Sequence, residues 1–345
     1  MNIDNYTDAI MNCRFCFMCR HLSAIGNVRF TEADTPRVRA AMTYGVTMHP
    51  EQLANQDYID TLYRSDLSAC CRFHCVSHFD ENGLNLAARA DIVEAGLAPE
   101  YVKAIAVELK KNEKWTGKGE GDVLYFIDNY TAEAKTVVKA FDAVMKKAGV
   151  KYQTVTGGCI GKALNILGFR KEAKEAMQKF AQVIKASKAK TVVVSNPAAY
   201  DALVHDFKEA GVKLSAKVMH TSEFIKSLKL KFSKKAGKAY YLESDYLKNY
   251  NDDMQAPREL LAALKTDLIP FGTNNEESYT CGEGAVVLPK IDEGLVAKLA
   301  KYIEARADDP KKDLIVVASP YTKICLTKYT ALNVKTLEEL AAACL

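Results

Sequence analysis

From residue 123 onward, short apolar runs alternate with longer stretches whose apolar positions recur every three or four residues. Val123-Leu-Tyr-Phe-Ile127 is a run of strand length that ends in Asp128-Asn129-Tyr130. A helix is predicted from Thr131, with Ala134, Val137, Val138, Phe141, Val144 and Ala148 on one face and Gly149 as its stop. A second strand (151–155) leads into Gly157-Gly158-Cys159-Ile160-Gly161, and a helix over 172–186 and a strand over 191–194 follow. The same order returns after a basic run at 226–238: a strand at 239–242, a helix at 256–265 and a strand at 267–271. Thr280-Cys281-Gly282, a helix at 293–306 and a strand at 314–317 complete it. Strands that alternate with helices predict α/β architecture built on parallel sheets, and an internal repeat predicts two similar modules.

The first part of the chain lacks strand-like runs. Helices are predicted over 35–44, 86–94 and 99–111, the last with Val102, Ile105, Ala106 and Leu109 at helical spacing. The run 110–121 is polar and Gly-rich and reads as a linker. The expected organisation is a helical unit over 1–118, a first α/β module over 119–235 and a second over 236–345.

Composition narrows the class of protein. The chain has 345 residues, 48% of them hydrophobic and 26% charged, which excludes a disordered or fibrous chain. With 47 basic and 43 acidic side chains the net charge is +4, too balanced to make nucleic acid the expected partner. No stretch approaches about 20 uninterrupted apolar residues, so no membrane span is expected, although peripheral association stays open. Residues 1–8 lack a basic start followed by an apolar run, so no signal peptide is read there and a cytoplasmic location is expected. In a reducing compartment, ten cysteines are not a disulfide framework.

Six of those ten, Cys13, Cys16, Cys19, Cys70, Cys71 and Cys75, lie in the first 75 residues. Cys13-x-x-Cys16-x-x-Cys19 has the bacterial-ferredoxin spacing that grips three irons of one [4Fe-4S] cube, the fourth ligand coming from elsewhere. Zinc would more naturally use two separated Cys-x-x-Cys pairs, and three free buried cysteines are the remaining alternative. Cys71-x-x-x-Cys75 has the spacing that ends a second such motif, but its two earlier positions are Ser65 and Ser68. The position four residues after Cys19 is Ser23. In two-cluster ferredoxins the last cysteine of each motif binds the other cluster. Cys13, Cys16, Cys19 and Cys75 therefore make one complete set, whereas Ser23, Ser65, Ser68 and Cys71 do not. One cluster is expected, with the serines still near ferredoxin geometry. Cys70 reads as a small buried residue, and His74 and His78 as hydrogen-bonding or surface groups rather than ligands.

With these residues in place the chain resembles the iron–sulfur proteins with paired cysteine-rich "CCG" domains. That family includes subunits of glycolate and lactate oxidases, anaerobic glycerol-3-phosphate dehydrogenase and heterodisulfide reductase. Thr35-Pro36-Arg37, Leu62-Tyr63 and Ala256-Pro257-Arg258-Glu259 echo it over nearly the full length. The resemblance implies an α-helical ferredoxin-like domain followed by two CCG modules. It also implies a strand-end cysteine, a Cys-Cys-Gly turn and a Cys-Pro-x-Cys turn in each module. Here the first module has Asn129, Cys159-Ile160-Gly161 and Asn196-Pro197-Ala198-Ala199. The second has Asp245, Thr280-Cys281-Gly282 and Ser319-Pro320-Tyr321-Thr322. One cysteine remains at these positions in each module, too few for a cluster.

The function expected is an iron–sulfur electron-transfer subunit of a hetero-oligomeric oxidoreductase complex. One [4Fe-4S] cluster would relay electrons from a flavin-dependent dehydrogenase partner to a downstream acceptor, with FAD only in the partner and no catalytic residue in this chain. The alternative is a structural or assembly subunit whose cluster is not redox-active. Gly161-Lys162 lacks the earlier glycine and the Ser/Thr of a P-loop. Asp128 and Asp245, at strand ends, are candidates for lining a polar pocket.

Overall fold

The computed structural model describes residues 1–273 and 275–345. Its first 111 residues are helical. The main helices are Thr7–Asn12, Ala24–Arg29, Pro36–Met48, Gln56–Tyr63, Cys70–His74, Glu81–Glu94 and Glu100–Lys111. Pro36 opens its helix at a position where a missing N–H costs nothing. The predicted face of Glu100–Lys111 is buried, with Val102, Ile105, Ala106 and Leu109 all in the core.

Two sheets follow. The first contains β1 (Trp115–Gly119), β2 (Val123–Ile127), β3 (Tyr152–Gly157), β4 (Thr191–Val194) and β5 (Lys217–His220), in the order β1-β3-β2-β4-β5. Only β1 runs antiparallel, against β3. The second contains β6 (Gly237–Leu242), β7 (Thr266–Ile269), β8 (Leu314–Val317) and β9 (Asn333–Thr336), ordered β7-β6-β8-β9 and wholly parallel. Apart from β1, the two orders are the same topology, as the repeat predicts. The fold is α/β with parallel sheets.

The central strands β2, β4 and β8 are buried almost throughout, because helices cover both faces of a parallel sheet. Tyr125 on β2 pairs with Thr154 and Val193 in register, and its ring stacks on Phe141 with centroids 3.9 Å apart. The helix after β2 breaks once, giving Asn129–Glu133 and Lys135–Ala148, and ends as expected at Gly149 with φ of 66°. The stretch read as a linker differs from expectation: Trp115–Gly119 pairs with β3 from Trp115↔Gly157 to Gly119↔Gln153. As an edge strand with most side chains in solvent, it carries no apolar run to betray it.

Candidate metal centre

Two segments meet at the N-terminal end of the fold. Cys13 ends the helix Thr7–Asn12 in extended conformation, and Cys75 ends Cys70–His74 in the same way. Between them, the Ser77 hydroxyl donates to the Asn12 carbonyl at 2.9 Å, and the Cys71 thiol donates to the Cys19 carbonyl at 3.4 Å. Phe15, Leu67, Ala69 and His78 have φ between 45° and 60°, which bends both segments around a common recess at some cost in backbone strain.

Cys13, Cys16, Cys19 and Cys75 all line that recess, and none is in a disulfide. Burial pushes the Cys13 thiol up, the Phe15 N–H opposes this, and the nearby Cys75 and Cys16 sulfurs add to the rise. Burial likewise raises Cys19, against a hydrogen bond from the Arg37 backbone, with Cys13 and Cys16 contributing. Cys75 thus stands beside Cys13 despite its distance along the chain. Among the described residues, no three His, Cys, Asp or Glu side chains converge on a single point as one ion would require. Four free thiols around one recess are a donor set chemically able to ligate iron or zinc.

The three serines have ordinary work. Ser23 caps Ala24–Arg29, accepting from Gly26 N at 3.3 Å and donating to the Asp34 carbonyl at 2.8 Å. Ser65 is fully buried, accepts from Leu67 N at 3.4 Å and does not border the recess. The Ser68 carbonyl accepts from Asn249 Nδ2 at 2.6 Å. Arg39 packs beside Cys71 and Asp66, paired with Glu81 and bonded to the Asp34 carbonyl at 2.9 Å. Cys70 is buried as expected, with Lys248 Nζ at 3.4 Å and Asn249 Nδ2 at 3.5 Å from its sulfur. His74 pairs with Glu277, and His78 is exposed.

At the ends of β2, β3 and β4, Asn129, Cys159 and Asn196 border a crevice of about 260 Å³. Asp128 faces it but is already engaged, capping Asn129–Glu133 and accepting from Asn196 Nδ2 at 2.5 Å. Lys162 pairs with Asp201 and Asp206, which leaves it no phosphate to hold. The equivalent place in the second sheet is occupied by side chains. Asp245, 1% exposed, accepts from Thr280 Oγ1 at 2.5 Å and Gly284 N at 3.2 Å. Glu283 accepts from Ser244 Oγ at 3.0 Å and Asp245 N at 2.7 Å. Burial pushes both carboxyls well above their usual range.

Spacing alone gave no sign of Arg37. Its guanidinium lies 4.1 Å from the centre of the Phe17 ring, donates to the Phe15 carbonyl at 3.3 Å, and is held by Glu32 at 2.6 Å.

Fold and recess together define an α/β protein with a cysteine-lined N-terminal helical part. No family model matches the chain. It is similar to the EtfAB:quinone oxidoreductase of Syntrophomonas wolfei subsp. wolfei, 26% identical over 207 residues. The match covers 58% of this chain and 28% of that protein, so the chain spans under a third of its relative's length. In fold it resembles a hypothetical protein from Helicobacter pylori, with a TM-score of 0.67 over 99% of this chain and 76% of that one. At 9% identity this likeness concerns fold alone. Among the described residues, no helix is long and apolar enough to cross a membrane.

Proposed function

We propose that this chain is the electron-transfer subunit of an oxidoreductase complex, with Cys13, Cys16, Cys19 and Cys75 holding one [4Fe-4S] cluster. The observation that carries the reading is the meeting of Cys75 with the Cys13 loop in one recess, with all four thiols free. When bound, the cluster supplies one-electron chemistry, which suits the splitting of a flavin's electron pair. The chain's own part is to supply thiolates, to direct the Phe15 and Arg37 backbone N–H groups at Cys13 and Cys19, and to shield the site. The flavin belongs to a partner dehydrogenase. Support comes from the relative named EtfAB:quinone oxidoreductase, whose name joins an electron-transfer flavoprotein to a quinone.

Anaerobic purification tests this. About four irons per chain are expected, the content of one cube. Cys75→Ala should lose them as fully as Cys13→Ala, while Cys159→Ala and Cys281→Ala retain them. Iron surviving Cys75→Ala, or zinc in its place, refutes the assignment. A cluster that stays oxidised throughout turnover of the complex would assign it a structural role.

A further inference from the structure

Large apolar side chains rarely stand in water as a group without a reason. Of the twelve such side chains exposed among the described residues, six lie at 11–18 and 73–76: Met11, Phe15, Phe17, Met18, Phe73 and Val76. They flank Cys13, Cys16 and Cys75, and Met18 and Val76 also line the recess. Phe17 is 69% exposed, yet Arg37 stacks on its ring and is itself tied to Glu32, so the ring is held out rather than left to wander. An aromatic side chain fixed in advance loses little freedom on docking and is a common anchor of interfaces.

The unpaired charges around this lip are positive, since its most exposed carboxylate, Glu32, is already held by Arg20 and Arg37. Arg14 and Arg72 line the recess, are exposed, and pair with no carboxylate among the described residues. The nearby acids are turned inward: Asp66 is 7% exposed, Glu81 pairs with Arg39, and Asp80 caps Glu81–Glu94. From this combination, and resting on the cluster assignment above, we infer that the lip of the cysteine recess docks a redox partner protein whose contact surface is an apolar patch ringed by carboxylates. Phe17 and Val76 enter the patch, and Arg14 and Arg72 meet the ring. Complementary charge speeds encounter and sets orientation, and docking here brings the partner to the edge of the cysteine recess.

The test uses the iron-loaded chain, with an acidic flavodoxin in its hydroquinone form as electron donor, followed by stopped-flow absorbance at several salt concentrations. The wild-type rate should fall as salt rises. Phe17→Ala and Val76→Ser should each slow transfer at least about fivefold. The pair Arg14→Glu and Arg72→Glu should slow it about tenfold or more and reverse the salt dependence. Lys234→Glu with Lys235→Glu, an equal charge change on the far part of the chain, should have little effect. Iron content is measured on each variant. Wild type without a cluster overturns the site assignment itself, whereas iron-replete variants with wild-type rates overturn only the docking face. Two further results would also overturn it: a concentration-dependent dimer abolished by Phe17→Ala, which gives the face to a second copy, and binding to phosphatidylglycerol vesicles lost in the same variants, which gives it to a membrane.

Discussion

Arg89 ties two helix ends together through one buried side chain. It lies on the helix Glu81–Glu94 and is fully buried, yet Nε has no partner and no carboxylate pairs with it among the described residues. Its guanidinium instead donates to backbone carbonyls: Leu62 at 2.6 Å, Ile166 at 3.0 Å and Ser65 at 3.4 Å. Leu62 lies in the last turn of Gln56–Tyr63, and Ile166 ends the helix Lys162–Ile166. One side chain therefore completes the C-terminal ends of two helices, one from the helical part and one beside the first sheet. At such ends unpaired carbonyls and the helix dipole both favour a cation. Burial lowers its pKa to about 10, the mark of a charge that is costly to hold there. A hydrogen bond to a charged group is worth about 1.5–3 kcal/mol, so the two shorter bonds contribute about 3–6 kcal/mol. Relief of the buried charge offsets part of this, and Arg89→Met should destabilise by about 2–4 kcal/mol. Arg89→Lys should do no better, because an ammonium keeps the buried charge but cannot fork to two helix ends. Equilibrium urea unfolding, followed by circular dichroism under anaerobic conditions, measures both. A loss below about 0.5 kcal/mol for Arg89→Met, or full stability in Arg89→Lys, would refute the shared-cap argument.

The same junction makes Gly168→Ala costly, because a Cβ there would lie 2.4 Å from the Arg89 carbonyl oxygen at a φ of +95°. A fall in melting temperature of several degrees is expected, from an added strain of about 1–3 kcal/mol. Glu283 gives a pH dependence. Burial first and Asp245 second raise its pKa above the ordinary 4.5, so the stability that its protonated form contributes is complete below that value and lost as pH rises above it. Its pKa is pushed up to about 8, so Glu283→Gln should flatten stability between about pH 5 and about pH 8, and an unchanged profile would remove the group from the account. The triple change Ser23→Cys, Ser65→Cys and Ser68→Cys should not add iron on anaerobic reconstitution, and a gain of about four irons would show that the second corner set still has room.

The strands most legible in the sequence were those buried on both faces. Thr191–Val194 and Leu314–Val317 are short β-branched runs, and their observed bounds coincide with the predicted ones. The edge strands were not legible: β1 hides in a Gly-rich polar stretch, while Lys217–His220 and Asn333–Thr336 each mix apolar with polar residues over only four positions. In the site, the regular spacing of Cys13, Cys16 and Cys19 marked the cysteines, because it is carried by close neighbours in the sequence. What surrounds them was hidden for the opposite reason. Arg37 over Phe17, His74 with Glu277, and Cys70 with Lys248 and Asn249 join residues that only the tertiary fold brings together.

The two cysteine motifs differ in what has filled them. A buried void of cluster size would be unstable, because interiors pack to the density of crystals. Cys71, Ser23 and Ser68 border the same recess as the four thiols, and Arg39 borders it beside them, its pairing with Glu81 and bond to the Asp34 carbonyl satisfying a charge that is only 4% exposed. Ser23 has meanwhile become the cap of Ala24–Arg29, a role worth about 1 kcal/mol that cysteine fills poorly. Ser65 lies in the turn that Arg89 holds, where its hydroxyl accepts from Leu67 N. Thiols at these positions would therefore remove a cap and face Arg39 across the recess wall. Expelling Arg39 would strand the carboxylate of Glu81, and breaking a buried pair from one side costs about 3–5 kcal/mol. The serines therefore already serve as a cap and as turn and backbone partners, which thiols at the same positions would have to give up.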